Sequence, residues 1–194
     1  MTDALTIDPK HAALLVMDYQ SMIVDMTGDQ KDALLANAKA LIAAARKASV
    51  PVIYVVVGFR PGFPEVSARN LTFSAAAKSG RFQPGSKAMD IHEAVAPQGE
   101  EVVVTKHRVG AFPSTDLDMV LRAKEVTTLI LAGIATSGVV LSTLRQAADL
   151  DFRIVVAKDA CADTDPEVHR VLMDKVFARQ ATVTSSADVI TALG

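Results

Sequence analysis

Apolar runs separated by helix-period segments dominate this chain. Ala12-Ala13-Leu14-Leu15-Val16-Met17 is a continuous apolar run that ends at Asp18. Val52-Ile53-Tyr54-Val55-Val56-Val57 follows Pro51 and stops at Gly58, and Val102-Val103-Val104 ends at Thr105-Lys106. Three more runs follow: Thr127 to Ala132, ending at Gly133; Ile154-Val155-Val156-Ala157, ending near Asp159; and the shorter Ala181-Thr182-Val183. Unbroken β-branched runs, without polar alternation, predict strands covered on both faces, as in a parallel sheet.

The intervening segments carry the helical period. Leu34, Leu35, Ala38, Leu41, Ile42 and Ala45 recur at the spacing of one helix face. Ser114 or Thr115 is placed to cap a helix through Leu121, with Asp116 and Asp118 suited to its positive end. A helix from Val140 to Leu150 opens just after Gly138, and Pro166 reads as the first residue of a helix capped by Asp165 and running to about Ala178. Ser186 to Leu193 closes the chain.

Strand-helix alternation predicts right-handed βαβ units in one domain, residues 1–194. The fold class is α/β: a three-layer α/β/α sandwich around a mostly parallel, Rossmann-like sheet of about six strands. In such sheets, sites form beyond the carboxyl ends of the strands. Asp18, Lys106 and the loop beginning at Gly133 all follow strands directly, so they converge on one sheet edge.

One stretch breaks the pattern. Residues 58–99 hold Pro61, Pro64, Gly80, Pro84, Gly85 and Pro97, with short helical pieces at best. It reads as an irregular excursion over that edge, shaping a pocket or meeting another subunit.

Composition narrows the function. The net charge of −2 supplies no basic field for nucleic acid. No apolar run approaches the roughly 18 residues that span a bilayer. The start of the chain, Met1 to Asp8, is acidic and unlike a signal peptide, so a cytoplasmic protein is expected. Cys161 is the single cysteine, which excludes an internal disulfide and a cysteine-rich metal site. No dinucleotide fingerprint or P-loop is present, so no cofactor is expected.

The residues Gly133-Ile134-Ala135-Thr136-Ser137-Gly138-Val139-Val140-Leu141-Ser142-Thr143 resemble the nucleophile loop of the isochorismatase-like cysteine hydrolases. Asp18 in Met17-Asp18-Tyr19-Gln20, and Lys106 followed by Gly110-Ala111-Phe112-Pro113, resemble two further signatures of that family. The resemblance runs from about His11 to Ile190. It implies that Asp18 and Lys106 are the catalytic acid/base pair, and that Val139 stands at the position of the usual nucleophilic cysteine. It further implies a cis peptide at Ile134-Ala135 and a backbone oxyanion pocket formed around Ile134, Ala135, Gly138 and Val139. Gln20, Phe112, Thr136 and Ser137 are pocket candidates.

Metal-binding members carry an Asp-x-His pair where this chain has Gly58-Phe59-Arg60-Pro61-Gly62-Phe63, so no metal is expected. Family members form dimers or tetramers, which implies a homo-oligomer with a small-molecule ligand or substrate as its other partner.

Valine has no lone pair, so thiolate attack from position 139 is closed. Ser137, Ser142 and Thr136 are nearby hydroxyls with no base evident in the sequence, and Cys161 reads as packing. True isochorismatases cleave a vinyl ether without the cysteine, but they place glycine at this position. Two readings stay open. One is a hydrolase of an amide, carbamoyl or vinyl-ether compound that uses Asp18, Lys106 and water. The other is a catalytically silent member that binds a small ligand or a partner protein. Tyr19, Phe59, Phe63, Phe73, Phe82 and Phe112 are unranked as pocket walls, and Arg81 and Arg108 are either anion holders or surface charge.

Overall fold

A computed structural model describes residues 5–194, so the Met1–Ala4 part of the acidic start lies outside the described residues. Six strands form one all-parallel sheet: β1 (Ala12–Met17), β2 (Val52–Val57), β3 (Val102–Lys106), β4 (Thr128–Ile134), β5 (Arg153–Ala162) and β6 (Thr182–Thr184). Their order is β3-β2-β1-β4-β5-β6. The chain builds outward from β1 in one direction, then returns to the other side of β1 for β4. The carboxyl ends of β1 and β4 therefore flank a switch point, where the crossovers leave to opposite sides and a crevice opens.

Each apolar run serves two cores because successive strand residues face opposite ways. Ala12, Leu14 and Val16 pack with Leu34, Leu41 and Ile42 of α2 (Lys31–Lys47) and with Val189 and Leu193 of α7 (Ser186–Leu193). Ala13, Leu15 and Met17 pack on the other face. There they meet Leu117 and Leu121 of α4 (Leu117–Ala123), Leu144 of α5 (Leu141–Asp149), and Phe177 beyond α6 (Pro166–Val171). A two-sided sheet needs unbroken apolar strands, and every residue of β1, β2 and β4 is buried.

Several boundaries differ from the sequence expectation. β4 continues through Gly133 to Ile134, and β5 continues past Ala157 to Ala162. The polar Lys158 and Asp159 suggested an end, but a register shift opposite Leu131 and Gly133 lets β5 pair again, Gly133 with Cys161. Asp159 is occupied in turn: its carboxylate accepts from Ser186 N (2.6 Å) and Ser186 Oγ (2.9 Å) at the start of α7. Asp116, rather than Ser114 or Thr115, holds the cap position of α4, while the Thr115 hydroxyl accepts from Leu117 N at 3.3 Å. α5 begins at Leu141, after a π-helical turn over Thr136–Val140. The helix at Pro166 changes pitch at Leu172 and ends as a 3₁₀ turn at Arg179.

The 58–99 excursion is more ordered than its proline and glycine content suggests. It contains α3 (Leu71–Ser79), capped by Asn70, whose Oδ1 accepts from Phe73 N at 3.0 Å. Gly80 ends the helix in the left-handed conformation, φ 66°. Phe59, Phe63 and Phe73 join Val57 in a small separate core, with Phe59 and Phe73 ring centroids 5.3 Å apart. That core fixes α3 beside the carboxyl end of the sheet. Five-residue α1 (Ser21–Asp25) stands nearby, directly after β1.

Candidate active site

Asp18 is the first residue past β1. Its N–H donates to Val55 O at 2.7 Å, and its φ of 58° turns the chain abruptly out of the strand. Lys106 is the last residue of β3, in register with Val57 of β2. Its side chain reaches Asp18, with Nζ 2.9 Å from Oδ2. Asp18 is 6 % exposed and Lys106 2 %, so this is a buried ion pair and not a surface bridge. Lys106 Nζ also donates to Arg108 O at 3.1 Å.

The other Asp18 oxygen, Oδ1, is buried and has no hydrogen-bond partner among the described residues. A buried carboxylate oxygen left unpaired carries a desolvation cost. Burial pushes the Asp18 carboxyl above its usual range, against the opposing pull of the Lys106 ammonium. The pair therefore presents one satisfied and one unsatisfied oxygen.

Both residues line a cleft of about 550 Å³. The strand ends and the following turn close one side, through Ile134, Ala135, Gly138 and Val139. The Ile134-Ala135 peptide bond is cis. Gly138 N and Val140 N both donate to Ala135 O, at 3.1 and 3.3 Å, and Ser137 N donates to Asp163 Oδ2 at 2.7 Å. Val139 is buried among the core side chains of the α4–α5 face, yet it also lines the cleft. Gly133 permits this packing: a Cβ there would lie 3.0 Å from Val140 Cγ2 and 3.2 Å from Met17 Cβ.

The other pocket candidates lie elsewhere. Gln20 is fully buried and clamps three backbone groups. Its Nε2 donates to Val57 O (3.0 Å) and Ala88 O (2.9 Å), and its Oε1 accepts from Val57 N (2.8 Å). It ties the excursion to the end of β2. Phe112 packs into the α4–α5 core. Thr136 is fully buried, and its hydroxyl meets His169 Nδ1 at 2.8 Å. The sequence suggested no base for this hydroxyl, and the structure supplies one. The pair sits behind the turn and anchors it, since neither residue lines the cleft. Burial lowers the His169 pKa. Ser137 is exposed, with its N–H held by Asp163. Ser142 packs beside Gly110. Cys161 is buried, and desolvation pushes its thiol up to about 12, which removes it as a thiolate near neutral pH.

The wall that sequence reasoning did not resolve is apolar. Met22, Ile23 and Met26 supply it from α1 and the residue beyond, and Phe73, Ala76 and Phe82 from α3 and the residues after it. Methionines and aromatics at helical spacing are ordinary core signals, so only the packing of the excursion identifies them as lining. Among the described residues, no group of three or more His, Cys, Asp or Glu could hold a metal ion. Among them, too, no helix is long and apolar enough to cross a membrane.

Residues 12–188 match the isochorismatase domain. The chain is 30% identical to YecD, an isochorismatase family protein of Escherichia coli O157:H7, over 97% of this chain and 100% of YecD. It is also 30% identical to the ureidoacrylate amidohydrolase RutB of Methylobacterium radiotolerans, over 99% of this chain and 83% of RutB. The fold superposes on a cysteine hydrolase from Pseudomonas syringae pv. phaseolicola with a TM-score of 0.88 and 26% identity, covering 100% of this chain and 98% of the other.

Proposed function

The chain belongs to the isochorismatase family, and from that premise we propose that it hydrolyses a small amide or carbamoyl compound without a cysteine nucleophile, using Asp18, Lys106 and water. The observation that carries this reading is the unpartnered Oδ1 of Asp18, buried at a cleft while Lys106 holds the other oxygen. We assign the Asp18 carboxylate the role of accepting a proton from the attacking water. Similarity to a ureidoacrylate amidohydrolase supports the amide class.

The step balances without a covalent enzyme intermediate. The water oxygen bonds to the substrate carbonyl carbon as its proton passes to Asp18, and the carbonyl π pair moves onto oxygen. Backbone N–H groups around Ala135 and Val139 receive that oxyanion. Asp18 then delivers the proton to the leaving nitrogen as the C–N bond breaks, releasing an acid and an amine. A carboxyl raised by burial holds its proton more readily, which suits the second transfer. Lys106 keeps Asp18 oriented and offsets the charge that develops beside it.

Val139 favours a second reading, a ligand-binding member with no turnover, because a side chain with no nucleophilic atom lines the cleft with Asp18 and Lys106. A hydrolysis screen over amides, carbamoyl compounds and vinyl ethers, with Asp18→Asn beside the unaltered protein, separates the two. Hydrolysis lost in Asp18→Asn, by about 10²-fold or more, supports the acid/base reading. Equal turnover by both proteins, or none by either, overturns it.

A further inference from the structure

The charges around the cleft do not cancel. Among the described residues, Asp18 is its sole lining carboxylate and is neutralised by Lys106 at 2.9 Å. Arg81 also lines the cleft, at its exposed side, and among the described residues no carboxylate lies within 4.0 Å of its guanidinium. Asp25 and Glu65 are engaged with other cations, Asp25 with Lys31 at 2.6 Å and Glu65 with Arg60 at 2.6 Å. Apart from Thr72 and Ser79, the side chains that line the cleft with Arg81 and the ion pair are apolar, among them Met22, Met26, Phe73, Phe82, Val109 and Val139.

The Arg81 backbone is held on both sides. Arg81 N donates to Ala76 O at 3.3 Å in the left-handed close of α3, and the next residue, Phe82, accepts from Phe59 N at 2.8 Å. Phe59 belongs to the small aromatic core, so packing fixes the backbone from which the Arg81 side chain projects.

We propose that the cleft selects a largely apolar amide carrying one carboxylate at the end remote from the scissile bond, with Arg81 as the residue that selects the carboxylate. This rests on the hydrolase reading of the same cleft. The amide end meets Asp18 and the Ala135–Val139 turn, the apolar body covers the methionine and phenylalanine wall, and the carboxylate meets the Arg81 guanidinium at the rim. A guanidinium presents paired N–H donors that match a carboxylate, and at a rim it favours anions without being deeply desolvated.

Binding tests this without requiring turnover. Suberamic acid and octanamide share an apolar chain and a terminal amide, and only the first carries a distal carboxylate. Titration calorimetry is run with each against the unaltered protein and against Arg81→Gln, a change at an exposed position. Suberamate is expected to bind about tenfold more tightly than octanamide, the scale of one charge-assisted contact. Arg81→Gln is expected to erase that difference and leave octanamide affinity unchanged. Equal affinity for both compounds, a preference that survives Arg81→Gln, or no binding of suberamate overturns the assignment. Suberamate that binds through Arg81 and is never hydrolysed instead counts against the hydrolase reading and leaves the selectivity assignment standing.

Discussion

Val139 and Cys161 make a matched pair for experiment. Val139 lines the cleft that holds Asp18 and Lys106, whereas Cys161 is buried with its thiol pushed up to about 12. Val139→Cys is therefore expected to create one thiol that titrates below the ordinary cysteine range, against a silent background. Iodoacetamide alkylation rates across pH would show it, and a thiol with ordinary solution reactivity would remove support for a poised pair. Asp18 gives a second prediction at this scale. Its folded-state pKa is raised, so its contribution to folding is fully present below about 3.8, the unfolded value, and is lost as pH rises through the folded value. The stability of the unaltered protein relative to Asp18→Asn should accordingly fall as pH rises over that window, measured by urea unfolding. A difference independent of pH would contradict the raised value. Asp18 and Lys106 were singled out mainly by their resemblance to the family signatures, beside the cost of leaving a charge unpaired at the end of a buried strand, and the structure pairs them. Gln20 was misjudged because its partners, Val57 and Ala88, lie far along the chain and only folding brings them near.

At the scale of elements, the turn between β4 and α5 is braced from behind. Asp163 accepts from Ser137 N and His169 meets the Thr136 hydroxyl, while Gly133 leaves room for Val140 and Met17. Asp163→Ala is expected to lower stability by about 1.5–3 kcal/mol, the scale of one hydrogen bond to a charged group. Gly133→Ala should cost a similar amount, ~1–3 kcal/mol, by overpacking. Chemical denaturation measures both, and a change under about 0.5 kcal/mol, the usual range for surface positions, would show that the turn does not depend on them. The strands were largely readable because a sheet covered on both faces leaves an unbroken apolar trace. α3 was obscured by the prolines and glycines around it, although Asn70 and Gly80 bracket it as cap residues. The continuation of β5 was hidden because Lys158 and Asp159 resemble a strand end, when one of them is capping a helix.

Across the whole molecule, the sheet order places the cleft. β1 and β4 are neighbours whose onward connections diverge, and the third contributor, Lys106, arrives from the edge strand β3 across β2. The sequence marked three strand ends with polar residues or glycine, while the strand order that brings them to one edge depends on pairings distant along the chain. The apolar wall and Arg81, by contrast, come from α1, α3 and the residues beside them, outside the sheet. The buried ion pair and the apolar wall are thus borne by separate parts of the polypeptide. Two segments outside the sheet, α1 and the 58–99 excursion, can be rewritten without touching the strand ends that hold Asp18 and Lys106. A joint graft of both segments from a relative becomes a natural way to exchange what the scaffold accepts.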